Sequence, residues 1–173
     1  MLGGLAAGWL AAGREQRQWT PAGSSRAWST AATFALAGAA ADLDLLVGAH
    51  SMYTHSIGAA AIAGVLVLLL SSGRDKAVAA GVAAAVASHV FLDWLGSDTS
   101  PPLGVMALWP FSHEYFQSPF YVFDAISRRY WLPEFFVGNL LAVVRECAFL
   151  VPIVIGIAWL RRPRMRDAKR PVV

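Results

Sequence analysis

The sequence has a single cysteine, Cys147, and few charged residues. A lone cysteine excludes an internal disulfide framework and any zinc site built from several cysteines. Charged residues make up only 14% of the 173 residues, and hydrophobic residues make up 57%. A soluble domain is about one quarter charged and less than about half apolar. Long runs of Ala, Leu and Val account for the difference, so the composition indicates a polytopic membrane protein with one domain over residues 1–173.

Signatures of several enzyme classes and of nucleic-acid-binding proteins are also missing. The chain has no Gly-rich phosphate loop, no GxSxG motif and no Cys/His pair. Its net charge of +3 does not indicate nucleic-acid binding, because the basic excess lies mainly in residues 161–170, beside an apolar segment. We therefore expect no nucleic-acid partner, and we interpret residues 161–173 as a basic cytoplasmic tail.

The apolar segments predict an all-α membrane bundle with four spans plus a short N-terminal helix. Residues 1–13 are rich in Gly and Ala and cover about 20 Å as a helix, less than the ~30 Å hydrocarbon core. Thr54 or Ser51 is expected to cap the helix that opens with His55. The four segments interpreted as spans are residues 27–47, 55–70, 77–95 and 135–160.

The connection between the last two spans, residues 96–133, is long and rich in aromatic residues. Connections of this length are usually functional or partly structured. Its aromatic side chains are interpreted as an interfacial belt. The alternative is that some of them line a groove for a lipid-like substrate.

Lysine and arginine residues predict the orientation, because cytoplasmic loops carry the basic excess. With the C-terminus in the cytoplasm, eleven of the 14 basic residues lie inside, Arg128 and Arg129 lie outside, and Arg145 lies within the last span. This orientation rests on the basic residues alone, yet it brings the metal-capable side chains of four segments to the outer face. These residues are Asp42, Asp44, His50, His55, His89, Asp93, Asp98 and His113.

The pair His89 and Asp93 is the strongest candidate for a metal site. A spacing of four places both side chains on one face of a helix. An imidazole and a carboxylate on one face can hold a divalent cation and the water that it activates. The alternative is a histidine at a helix end that is hydrogen-bonded to a neighbouring carboxylate. The membrane context favours the metal, because ionisable groups in membrane helices are costly and usually functional.

Two aspartates, Asp42 and Asp44, follow an apolar run and are spaced two apart. On a regular helix their side chains point about 200° apart, so both reach one site only if the helix ends there. We expect one of them to be a metal ligand and the other to bridge or to support a ligand from behind. The alternative is a polar helix end in the membrane interface.

The remaining candidates are two histidines around a turn and a carboxylate in the last span. His50 and His55 bracket the sequence HSMYTH and reach one site if a loop leads into a helix there. Each of them alone is equally compatible with an interfacial surface histidine. Glu146 is expected to lie at a depth similar to His89, as a ligand or as the partner of a buried cation. The roles of His113 and Asp98 stay open.

Four motifs in this order resemble a family of bacterial inner-membrane proteins, the YdjM-like predicted metal-dependent hydrolases. The motifs are ADLD at residues 41–44, H-x4-HS at 50–56, SHVFLD at 88–93 and GVMALWPFS at 104–112. Two features depart from the family pattern. Ala41 stands where the family usually has proline, and the family's histidine before the first helix has no counterpart in the sequence from Met1. A more distant likeness, carried by His89 and Asp93, is to zinc-dependent phospholipase C and the P1-type nucleases.

The resemblance implies a membrane-bound metal-dependent hydrolase of the bacterial inner membrane. Zinc is the divalent ion expected, and the substrate expected is a phosphoester or lipid-linked molecule at the outer face, in contact with membrane lipids. Asp93 and Asp44 are the candidates for a direct role in catalysis. The alternative is a non-enzymatic membrane protein, either a metal carrier or a scaffold. The predicted metal ligands are Asp42, Asp44, His50, His55, His89, Asp93 and Glu146.

Overall fold

The computed structural model describes residues 1–13, 25–47, 51–98, 101–127 and 130–161. Within these residues the chain is helical, and its backbone bridges outside the helices are isolated pairs. The prediction of an all-α protein is therefore confirmed. The helices are α1 (Leu2–Ala11), α2 (Ser25–Ala37), the 3-10 helix η1 (Ala40–Val47), α3 (Ile57–Leu70), α4 (Lys76–Trp94) and α5 (Glu134–Leu160).

The core forms where α1, α2 and α4 meet around Phe34, which is fully buried. Gly8 on α1 and Gly81 on α4 form the notch that receives this ring, and a Cβ atom at either glycine would collide with it. Small residues let membrane helices approach closely, so that van der Waals packing holds them together. This notch sets the spacing between α1 and α4.

Helices α3 and α4 form an antiparallel pair joined by the turn at residues 71–75. The side chain of Ser56 caps α3 by accepting a hydrogen bond from the backbone N–H of Ala59 at 3.0 Å. The expectation that Thr54 or Ser51 caps this helix was therefore wrong. Ser56 is fully buried, so the start of α3 is fixed within the protein.

Two of the described helices, α4 and α5, are long and apolar enough to cross a membrane. The prediction of four spans is not supported. With 14 residues, α3 is about 21 Å long and shorter than the ~30 Å hydrocarbon core. The segment predicted as one span over residues 27–47 is interrupted after Ala37, where α2 ends and η1 follows.

The connection from α4 to α5 is named here the aromatic loop, described over residues 95–98, 101–127 and 130–133. Its backbone is hydrogen-bonded to the ends of two helices. The carbonyls of Ala107 and Trp109 accept from the first backbone N–H groups of α3, Ile57 and Gly58, both at 2.9 Å. The backbone N–H groups of Ser118 and Val122 donate to the carbonyls of Trp94, the last residue of α4, and of Leu95, its C-cap, at 3.0 and 2.9 Å. The loop therefore has a fixed place on the bundle.

Candidate metal centre

Four side chains from three elements converge on one point. Asp42 comes from η1, His55 from the turn before α3, and His89 and Asp93 from α4. One ligand atom from each lies within 4.8 Å of all the others. A divalent cation needs such a group of nitrogen and oxygen atoms, and the structure brings together four of the seven predicted ligands.

The distances among the four atoms fit the size of a small divalent cation. Both imidazoles present Nε2, and these nitrogens lie 3.3 Å apart. Asp93 Oδ2 lies 3.2 Å from each nitrogen, and Asp42 Oδ1 lies 3.6 Å from His55 and 3.4 Å from His89. Tetrahedral bonds of about 2.1 Å place neighbouring ligand atoms about 3.4 Å apart. The donor set therefore fits a zinc-like ion, and mixed imidazole and carboxylate ligands also suit other transition metals.

Local geometry explains why these residues meet. His89 and Asp93 lie one helical turn apart on α4, on the same face, as their spacing predicts. Asp42 reaches them because α2 stops at Ala37 and the chain continues as a 3-10 helix with three residues per turn. His55 is carried by the short turn ahead of α3, whose start is fixed by Ser56 and by the aromatic loop.

Asp44 lies on the Nδ1 edge of the His55 ring, whereas Asp42 and Asp93 lie on the Nε2 edge. Its Oδ2 is 3.1 Å from His55 Nδ1 and accepts a hydrogen bond from Thr54 Oγ1 at 2.8 Å. The two aspartates of η1 therefore hold opposite edges of one imidazole. A carboxylate on Nδ1 fixes the tautomer that leaves Nε2 free for a metal and strengthens the imidazole as a ligand. Asp42 is thus the aspartate placed to bind the cation, and Asp44 is placed to orient His55.

Thr54 is the residue that the sequence analysis missed, because it was considered only as a helix cap. Replacing Thr54 by valine removes the hydroxyl that holds Asp44 and keeps the size and β-branching of the side chain. We expect divalent-metal affinity to fall by about 10- to 100-fold, the typical effect of losing a group that supports a metal ligand. Thr54→Ser, which keeps the hydroxyl, should retain near-normal affinity. Competition titration with a zinc-sensitive dye measures both variants, and equal weakening in the two would contradict this role.

Exposure differs sharply across the group. The side chain of His55 is 0% exposed and that of His89 is 12% exposed, whereas Asp93 is 33% and Asp42 is 46% exposed. The histidines thus form the buried side of the centre, and the carboxylates form its open side. Among the described residues, the carboxylate side is therefore the side of the group that is open to water.

The charges in the group are balanced by mutual hydrogen bonds. Burial lowers the pKa of His55, but hydrogen bonds with Asp42 and Asp93 outweigh burial and raise this pKa to about 9. Hydrogen bonds from His55 and His89 hold the pKa of Asp42 well below its usual range. At neutral pH His55 is therefore the charged imidazolium in the metal-free protein, with a proton on each ring nitrogen. A cation that binds Nε2 must displace the proton on that nitrogen. A rise in pH that removes this proton consequently favours metal binding.

Two other predicted ligands that the structure describes, Asp44 and Glu146, are not part of this group. His50 lies outside the described residues. Glu146 lies on α5, which packs mainly against α1 rather than against the helices that carry the centre. His113 and Asp98 both lie on the aromatic loop, and the carboxylate of Asp98 accepts a hydrogen bond from the backbone N–H of Gly104 at 3.2 Å. Asp98 therefore has a structural role within the loop.

In comparison with protein families, the chain matches the family described as YdjM inner membrane protein over residues 1–165. The chain belongs to this family. The matched region includes every helix from α1 to α5 and all four residues of the metal centre. The resemblance seen in the sequence motifs is thereby confirmed, and the two long apolar helices agree with a membrane protein.

Comparisons with curated proteins and with solved structures find no significant match. The more distant likeness to zinc-dependent phospholipase C and the P1-type nucleases therefore has no support.

Proposed function

We propose that this YdjM-family protein is a membrane-bound metal-dependent hydrolase acting on a phosphoester or lipid-linked substrate. The observation that carries the proposal is the group Asp42, His55, His89 and Asp93, which combines a buried histidine side with an exposed carboxylate side. A closed structural site would shield all its ligands, whereas a catalytic site keeps one side accessible to water. The exposure of Asp42 and Asp93 supports the second type.

The residues of the centre have separate roles in this proposal. His55 and His89 would hold the cation through their imidazoles, with Asp42 and Asp93 as the carboxylate ligands. A divalent cation bound there would supply Lewis acidity and a water molecule that loses its proton near neutral pH. Asp93 keeps a second carboxylate oxygen and is partly exposed, so we assign it as the acceptor of the water proton. The water oxygen would form a bond to phosphorus while the bond to the leaving oxygen breaks, and the proton accepted by Asp93 would pass to that oxygen, so that it leaves as the alcohol.

Asp44 is assigned a positioning role instead of the direct catalytic role expected from the sequence. Its side chain is only 5% exposed and faces the Nδ1 edge of His55, so it points away from the open side of the centre. We keep the orientation proposed from the basic residues, with the C-terminus in the cytoplasm and the centre towards the outer face of the inner membrane.

A metal carrier without hydrolytic activity is the second candidate, and one observation favours it. Two imidazoles and two carboxylates are enough to complete a tetrahedral shell around zinc without water. The two functions differ in the consequence of metal binding, because only the hydrolase converts a substrate.

An activity assay on the purified protein in mixed micelles distinguishes the hydrolase from the metal carrier. We expect release of the alcohol or phosphate product from a panel of phospholipid and lipid-linked phosphoesters, abolished by a chelator and restored by zinc or manganese. Asp93→Asn should lose most of this activity, and His113→Ala, which changes a histidine outside the centre, should keep it. Metal binding without turnover of any phosphoester in the panel would contradict the hydrolase and favour the carrier.

A further inference from the structure

Part of the aromatic loop runs along α5 and is fixed to it at three points. The side-chain amide of Asn139 bonds to both backbone groups of Ser127, accepting from N–H at 2.8 Å and donating to the carbonyl at 2.9 Å. Arg145 donates to Asp124 Oδ1 at 2.7 Å. The rings of Phe123 and Phe149 pack edge to face with centroids 6.0 Å apart. From residue 123 to residue 127, the loop therefore runs past the stretch of α5 between residues 149 and 139.

Two of these points lie inside the hydrocarbon wherever the membrane crosses α5. A stretch of about 20 residues is needed to span, and within Glu134–Leu160 any such stretch includes residues 141–153. Arg145 and Phe149 belong to that shared part. When the span starts at residue 141, Phe149 lies about 12 Å from the edge of the hydrocarbon at that end, and when the span ends at residue 153 it lies about 6 Å from the opposite edge. Phe123, which contacts Phe149, lies at a similar depth.

The same depth applies to the metal centre. The backbone of Phe123 pairs with that of Gly96, and its carbonyl accepts from the N–H of Ser97 at 3.0 Å. Gly96 follows the end of α4, and Asp93 lies three residues before it, about 4.5 Å along the helix. Phe123 lies beside Phe149 of α5, so the depth of Phe149 in the membrane determines the depth of Asp93 to within about 5 Å.

The polar groups and the surface of this part of the loop suit a lipid environment. Irregular backbone inside a membrane must have its hydrogen bonds satisfied by the protein, and Ser118, Val122 and Ser127 meet this requirement through their bonds to α4 and α5. An arginine in hydrocarbon needs a partner, and Asp124 supplies it. Phe120 and Tyr121 are 77% and 54% exposed, so they present an apolar surface where the backbone is fixed at the end of α4.

We infer that the aromatic loop is a re-entrant element whose exposed aromatic residues contact lipid acyl chains, and that it holds the metal centre below the membrane surface. The loop is continuous with the exposed apolar surface of α5, and lipid is the occupant that we assign to this surface in an inner-membrane protein. If the proposed function holds, the substrate is an amphiphile resident in the membrane, because a water-soluble phosphoester would have to enter the hydrocarbon to reach the centre.

Depth can be measured with a fluorophore attached to a single cysteine. In a Cys147→Ala background, Phe120→Cys carries the label on the loop, and Arg74→Cys carries it in the exposed turn between α3 and α4. In vesicles of phosphatidylcholine brominated along the acyl chains, we expect the label at position 120 to lose most of its fluorescence. The label at position 74 should keep its fluorescence in that lipid and be quenched instead by aqueous iodide. Tyr121→Cys provides a second loop position if the first variant does not fold.

The inference would be overturned if iodide quenched the labels at positions 120 and 121 as strongly as the label at position 74, and if brominated lipid left their fluorescence unchanged. The measurement needs neither metal nor substrate. A failed depth test therefore leaves the hydrolase proposal standing, and a failed activity assay leaves the depth of the loop standing.

Discussion

The double substitution His89→Ala with Asp93→Ala is expected to abolish metal binding. It removes two of the four converging atoms, including the carboxylate oxygen that lies 3.2 Å from both imidazole nitrogens. The two remaining ligands, His55 and Asp42, cannot enclose a cation, because stable protein sites for such ions use at least three ligand residues. Elemental analysis of protein purified without chelator should show stoichiometric zinc or a similar ion in the parent and only background in the double variant.

The matched control replaces the histidine of the aromatic loop, His113→Ala, which should retain the metal in full. Both proteins must elute as the parent does in size-exclusion chromatography, so that loss of metal is not loss of fold. Stoichiometric metal in the double variant would show that the cation binds elsewhere and would remove the basis of the proposed centre.

Replacing Phe34 by alanine is the second change with a large expected effect. The ring is fully buried in the notch formed by Gly8 and Gly81, and these two glycines have no side chain to fill the cavity that its removal leaves. Truncation of a buried phenylalanine typically costs about 3–5 kcal/mol. We expect a loss of this size in the free energy of unfolding, measured by titrating the detergent-solubilised protein with sodium dodecyl sulfate.

Leu36→Ala on the same helix provides the control, because its side chain is 62% exposed. Both substitutions shorten a large apolar residue in α2 to the same methyl group. Equal destabilisation by the two would mean that the contact between α1, α2 and α4 does not depend on the ring of Phe34.

The sequence predicted the metal centre better than it predicted the spans. The four-residue spacing of His89 and Asp93 survives in any α-helix, so their shared face could be predicted without knowledge of the fold. The sequence also suggested that only one of Asp42 and Asp44 binds the cation. The choice between them depends on where α2 stops and on which edge of His55 each carboxylate meets, and both are results of tertiary packing.

The prediction of spans from hydropathy was wrong where the helix ends within an apolar run. Residues 27–47 are apolar enough to be taken as one span, but the chain leaves the α-helix after Ala37, where Gly38 packs against Gly4 of α1. The prediction for Glu146 considered depth alone, and depth does not determine which helix α5 contacts. Thr54 was missed because its hydrogen bond to Asp44 joins residues ten positions apart, and no periodicity in the sequence indicates such a contact.

The three elements that supply the ligands leave the ribosome at different times, with Asp42 synthesised first and Asp93 last. A cation cannot be enclosed until α4 has been synthesised and packed against α3, so metal loading has to follow membrane insertion. Once bound, the ion joins η1, the start of α3 and the end of α4, and its binding energy then adds to the stability of the assembled protein. If the proposed centre binds a metal, a cell short of that metal would therefore accumulate inserted but less stable chains, and the abundance of the protein would fall.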